Sequence, residues 1–95
     1  MKESMKESSI ESVLVSETKR ARGWSIKLNS LAGLPDRLVL LPGRVVFFVE
    51  LKKKGKKPRP IQKAVIRKIE NIGFRVYVLD NSDDVRNVIR AYAIT

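Results

Sequence analysis

Asp36, Glu50 and Lys52 are the residues whose types and spacing could do chemistry in this chain. Glu50-Leu51-Lys52 closes the most apolar run of the sequence, Val45-Val46-Phe47-Phe48-Val49, with a carboxylate and an ammonium two residues apart. In an extended strand both side chains then leave the same face. Fourteen positions before Glu50, Pro35-Asp36 opens the run Arg37-Leu38-Val39-Leu40-Leu41, and Pro42-Gly43 stands between the two runs. An acid there lies near Glu50, where the paired strands part. The sequence holds no His and no Cys, so an imidazole base, a thiolate nucleophile, a disulfide framework and a thiolate metal site are all excluded. Carboxylates, lysines and water remain. Two carboxylates converging beside a lysine suit a hard divalent cation and a polarised water. A phosphodiester is the matching substrate, because the cation neutralises charge on the scissile phosphate.

The hairpin sets a condition on this reading. Directly opposite residues of an antiparallel pair share a face, so Asp36 and Glu50 face together only in an even register, as their numbers give. A bare two-residue turn at Pro42-Gly43 pairs Leu41 with Arg44, an odd register that sends the two acids to opposite faces. A shared site therefore requires an odd number of turn residues or a bulge, a device common beside active sites.

The elements that must position these groups can be read from periodicity. The doubled Met1-Lys2-Glu3-Ser4, Met5-Lys6-Glu7-Ser8 is a flexible leader over residues 1–8, and one domain fills residues 9–95. A first helix runs from Ser8 to Arg22 with Ile10, Val13, Leu14 and Ala21 at helical spacing and Gly23 as its stop. Trp24–Leu28 alternates at period two, as a strand does. The hairpin follows, its second strand apolar on both parities and so expected to be covered on both faces. Pro60 at a first helical position, Ile61, Val65, Ile69 and Ile72 on one stripe taken as core, and Gly73 describe the next helix. Phe74–Leu79 is a fourth strand. Ser82 with Asp83-Asp84 caps a last helix whose stripe Val85, Val88, Ile89 and Tyr92 serves either as core cover, the preferred reading, or as a dimer interface. The order αβββαβα, with a helix crossing over between the third and fourth strands, gives a mixed α/β sheet flanked by helices. Trp24 and Tyr77 read as core or interface residues, since both lie among apolar neighbours on strands.

Between Lys52 and Lys68 stand nine basic residues and no acid: Lys52, Lys53, Lys54, Lys56, Lys57, Arg59, Lys63, Arg67 and Lys68. Such a density repels itself unless a polyanion neutralises it. Lys and Arg number 20 against 10 Asp and Glu, a net charge of +10, which again points to nucleic acid. No apolar run approaches a spanning length, so no membrane partner is expected and the protein reads as soluble and cytoplasmic. At 95 residues the chain buries only about 60–65% of its unfolded surface, which makes a second subunit a live expectation.

Leu34-Pro35-Asp36-Arg37, then Val49-Glu50-Leu51-Lys52, then Gln62 early in the next helix together resemble the PD-(D/E)XK nuclease superfamily. The closest resemblance is to its virus-type replication-repair nuclease (VRR-NUC) family, over roughly Ile10 to Ile89. The order read from periodicity agrees with that family's restriction-endonuclease-like αβββαβ core. The resemblance implies that Asp36 and Glu50 bind Mg2+ or Mn2+ with the Leu51 carbonyl, and that Lys52 orients or activates water. It further implies that Gln62 supports the site and that an acid of the first helix, Glu11 before Glu7, completes it. The basic run, apart from the resemblance, assigns phosphate contacts to Lys53, Lys54, Lys56, Lys57, Arg59, Lys63 and Arg67. Small stand-alone members, of a kind that phages encode, are similar to Holliday-junction resolvases, homodimers that cut branched DNA.

Other readings stand beside these. Glu50 and Lys52 can be an edge salt bridge, but a carboxylate buried without a partner on so apolar a strand costs ~1–3 kcal/mol, which favours a site. Asp36 can be a turn acid. Glu11 can close an S-x-x-E capping box with Ser8. A non-catalytic basic nucleic-acid-binding module, a flap-type nuclease and an inactive nuclease-fold subunit are the rival functions.

Overall fold

The computed structural model describes residues 7–93, and its elements follow the expected order. They are α1 (Glu7–Arg20), β1 (Trp24–Lys27), β2 (Arg37–Leu41), β3 (Val45–Leu51), α2 (Pro60–Ile72), β4 (Arg75–Leu79) and α3 (Ser82–Ala93). The strands form one sheet in the order β1-β2-β3-β4, antiparallel except for the parallel pair β3–β4. That pair is the one the α2 crossover requires. Of the stretch expected to be a leader, Glu7 and Ser8 belong to α1, and the rest lies outside the described residues.

One face of the sheet is complete. Alternation places Val39, Leu41, Phe47, Val49, Leu51 and Leu79 on it, all buried, under Ile10 and Leu14 of α1 and Val85 and Ile89 of α3. Phe47 stacks on Tyr92 at 5.0 Å and meets Tyr77 edge-on at 5.2 Å, while the two tyrosine hydroxyls lie 2.6 Å apart. The α3 stripe is thus core cover, the preferred of the two readings that its spacing leaves open. Glu17, in the same buried stripe of α1, accepts from Arg90 Nε at 3.2 Å and ties the two helices.

The opposite face is open. Register puts Trp24, Leu40 and Val46 in one row and Ile26, Leu38, Phe48 and Val76 in the next, with α2 packed near β4. Val46 and Phe48 are only half-buried, so β3 is closed over Phe47, Val49 and Leu51 on one face, with Val45 half-buried beside the turn, and is not covered on both. Trp24 is 65% exposed and is no core residue. The α2 stripe is likewise not core: Gln62 is the buried residue of that helix, whereas Ile61 and Ile72 are 51% and 69% exposed. Periodicity reports an amphipathic helix, but the helix lies along the sheet's margin and its stripe overhangs.

Two helix ends also differ from expectation. α1 stops at Arg20, and Arg22, at φ 65°, takes the left-handed position assigned to Gly23. A glycine is needed at 23 for another reason, since a Cβ there would stand 2.4 Å from the Leu40 carbonyl oxygen. The cap of α3 is Asn81, whose Oδ1 accepts from Asp84 N at 2.8 Å, one residue ahead of Ser82. Among the described residues no helix is long and apolar enough to cross a membrane.

Candidate active site

The β2–β3 turn holds three residues, Pro42, Gly43 and Arg44, the last two with φ of 85° and 65°. Three-residue hairpin loops commonly place a residue in the left-handed region. The ladder therefore pairs Leu41 with Val45 and Arg37 with Val49, the even register that a shared site demands. One step beyond Arg37, Asp36 reaches the level of Glu50, and its Oδ2 accepts from Leu51 N at 2.7 Å. The segment before it is pressed onto α2: a Cβ on Gly33, at φ 86°, would lie 2.9 Å from Val65 Cγ2. Pro35 is fully buried. The approach of this loop to α2 fixes where Asp36 leaves β2.

Glu50 is 1% exposed. Its Oε2 accepts from Lys52 Nζ at 2.9 Å and from Gln62 Nε2 at 2.7 Å. The Gln62 amide is itself oriented, because its Oε1 accepts from Arg59 N at 2.8 Å and leaves the NH2 group facing Glu50. Oε1 of Glu50 is buried and has no hydrogen-bond partner. Burial pushes the Glu50 carboxyl above its usual range; the Lys52 hydrogen bond and charge pull it down, and Asp36 and, least, Glu7 push it up. An edge salt bridge does not have this form, since surface pairs are solvated on both sides.

Asp36, Glu50, Lys52 and Gln62 are therefore brought together, with Leu51 between the acids. Glu11 is placed differently. Its Oε2 accepts from Arg37 Nε at 3.0 Å, lies 2.9 Å from Arg37 Nη2 and 3.8 Å from Lys27 Nζ. Arg37 also donates from Nη1 to the Ser25 carbonyl at 3.1 Å, so this acid clamps α1 to β1 and β2. The capping-box contact is not what holds it. Glu7, one turn earlier, is the acid of α1 whose charge reaches Glu50. Among the described residues no three acidic side chains gather closely enough to share an ion. The donor set is two carboxylates and backbone, which suits a hard cation that keeps waters of its own. The orphaned Glu50 Oε1 is the atom such a cation would satisfy.

Lys53, Lys54, Lys56, Lys57, Arg59, Lys63 and Arg67 are exposed, and among the described residues none of them pairs with an acid. Sequence reasoning missed how this loop is held. Asp80 Oδ2 accepts from Gly55 N at 3.2 Å, and hydrogen bonds from Asn81 and Gly55 keep the Asp80 carboxyl below its usual range. The sequence signals only that the crossover makes the third and fourth strands parallel; the register, Leu51 beside Leu79, is what sets Asp80 next to the start of the loop.

No family model matches the chain. It is similar to a protein of Acyrthosiphon pisum secondary endosymbiont phage 1 named "Putative nuclease p44", at 42% identity over 81 residues, covering 83% of this chain and 87% of that one. A solved structure of a VRR_NUC domain superposes with a TM-score of 0.83 at 30% identity, over 90% of this chain and 96% of the other.

Proposed function

The chain belongs to the VRR_NUC family and is a nuclease, and from that premise we propose that it is a Mg2+- or Mn2+-dependent, structure-selective endonuclease of branched DNA, resolvase-like in its product. The observation that carries this reading is Glu50 Oε1, buried and unpartnered beside Asp36 at the mouth of a lysine-rich loop. Asp36, Glu50 and the Leu51 carbonyl would hold the cation. When bound, it would offset charge on the scissile phosphate and make a bound water acidic enough to attack at neutral pH.

The rest of the work falls to the chain's own groups. Gln62 and Lys52 together saturate Glu50 Oε2, so the carboxylate presents its other oxygen in one orientation. Lys52 carries its ammonium at the edge of that carboxylate, where it orients water or meets a phosphate oxygen. Leu51 N, donating to Asp36, keeps the two acids at one level. The exposed lysines from Lys53 to Lys57, with Arg59, Lys63 and Arg67, hold phosphates regardless of base sequence.

Paired incision of a four-way junction requires two sites, and a two-fold homodimer supplies them. The open sheet face supports this arrangement: Trp24, Phe74 and Val78 expose apolar surface on the face that also carries Glu50. A second copy is the occupant that places two sites on one side of an assembly.

The test is cleavage of labelled duplex, flap and four-way junction DNA with and without Mg2+ or Mn2+, for the wild type, Asp36→Asn and Glu50→Gln. Each variant is expected to lose cleavage by about a thousandfold or more, equivalent to several kcal/mol of transition-state stabilisation, while still binding DNA. Cleavage near the wild-type rate in either variant would remove these residues from the site. Binding without cleavage under any divalent ion would favour a non-catalytic module, and single nicks in flaps by a monomer would favour a flap-type nuclease.

A further inference from the structure

Behind the sheet, away from Glu50, the outer surfaces of α1 and α3 form a trough. Three adjoining hollows of about 370, 110 and 360 Å³ share Arg20 as a wall and run from Ser12 and Ser16 to the β2–β3 turn. The cations that line them are Arg20, Arg22, Arg86 and Arg90, and the one acid of the lining is Glu17. Glu17 is neutralised in place by Arg90, and its side chain is only 9% exposed. Arg86 meets Asp83, a carboxylate 90% exposed, in a solvated pair that yields easily to a stronger anion. Among the described residues neither Arg20 nor Arg22 has an acid partner.

Two features separate this surface from ordinary solvated charge. The basic loop beside the active site is built mainly of lysine, whereas every cation of the trough is arginine, the side chain whose planar fork matches phosphate oxygens in pairs. Arg22 also holds its guanidinium at the trough from a left-handed backbone, at φ 65°. That position ends α1, so the turn itself carries the guanidinium off the helix and to the mouth of the trough.

The trough cannot extend the catalytic groove. Glu50 lies on the open face of the sheet, and α1 and α3 cover the other face. A straight helix held at Asp36 and Glu50 does not pass behind α3. We infer that the α1–α3 trough is a second phosphate-backbone site, and that it takes an arm of the nucleic acid other than the one being cut. This rests on the nuclease reading for its choice of polyanion, and it makes branching a property that the protein reads through two separated surfaces.

Anisotropy titrations in Ca2+, across a range of salt, test it without needing cleavage. The probes are a short linear duplex and a four-way junction with arms of that length, titrated with the wild type and with Arg20→Gln/Arg22→Gly. Glycine at 22 relieves the left-handed strain, so the pair is expected to fold, and circular dichroism checks this. Junction affinity is expected to fall about tenfold, with the salt slope reduced by roughly two, while duplex affinity changes less than twofold. Unchanged junction affinity and slope would overturn the site. Equal losses on both probes would overturn it too, because the trough would then belong to the primary groove. Binding of poly-glutamate through these arginines, with no effect on junctions, would reassign the surface to an acidic protein. Should the wild type cut nothing yet show the junction-specific loss, the second site stands and the catalytic reading fails.

Discussion

The two faces of the sheet are made of the same kinds of residue and finished differently. Under α1 and α3 the rings of Phe47, Tyr77 and Tyr92 close against each other, and Ile10, Leu14, Val39, Val49, Val85 and Ile89 leave almost no surface to water. On the face of Asp36 and Glu50, α2 covers part of the sheet, Trp24 stands largely in solvent, Phe74 and Val78 are partly exposed, and a buried carboxylate oxygen has no partner. A domain of this size has little apolar surface to spare, so the arrangement concentrates stability on one side. The other side keeps what a folded monomer does not need: an unpartnered carboxylate oxygen, an apolar margin and a loop of lysines.

The largest effect that would break this comparison is on stability. Phe47→Ala, on the closed face, is expected to cost about 3–5 kcal/mol, from lost burial and the cavity left behind. Trp24→Ser, on the open face, should stay within about 0.5 kcal/mol for the monomer. Denaturant unfolding of both variants measures the contrast. Light scattering of Trp24→Ser then tells whether the tryptophan is surplus or an interface: loss of dimer with stability retained supports the second copy, and a wild type that is strictly monomeric removes it.

Much of this division could be read from the sequence, for identifiable reasons. Parity is a strict rule, so the sum of two residue numbers decided which turn length would bring Asp36 and Glu50 to one face, and a three-residue turn meets it. Gln62 was legible only through the family resemblance, since the periodicity of a helix opened by Pro60 does not by itself aim a glutamine at Glu50. What periodicity does not report is the partner lying opposite. The stripe of α2 looks identical whether a sheet covers it or solvent does, and Glu11 gives no sign that Arg37, 26 residues away, will claim it. The Asn81 cap was hidden by a serine beside it that caps as readily. Glu17 was more accessible, since it falls seven residues after Ile10 on the stripe that α1 buries.

A smaller effect sharpens the role assigned to Gln62. Gln62→Ala removes the donor that holds Glu50 Oε2 and frees the carboxylate to turn, without removing any oxygen that would bind a cation. Loss of such an outer partner commonly costs 10–100-fold, so cleavage should fall by about that factor, well short of the loss in Glu50→Gln. Raising Mn2+ should recover part of the rate if the defect is cation affinity. A rate unchanged within twofold would mean that Lys52 alone orients Glu50.

The smallest expected effect is on folding of the cation-free protein, and its sign is opposite to that of an ordinary active-site mutation. Burial holds the Glu50 carboxyl above its usual range, so between the unfolded and folded values the native state binds more protons than the unfolded state. Stability therefore falls as pH rises through that window, and at neutral pH the ionised carboxylate destabilises the fold. Glu50→Gln keeps the shape and removes the charge, so in EDTA at neutral pH it should melt slightly above the wild type, with the difference vanishing below the ordinary carboxylate range. Adding Mg2+ should raise the wild-type midpoint and leave the variant where it was. A variant that melts well below the wild type in EDTA would show that the Lys52 and Gln62 bonds to Oε2 outweigh the burial of the charge. The open face would then be held together by its own site and not by the closed face behind it.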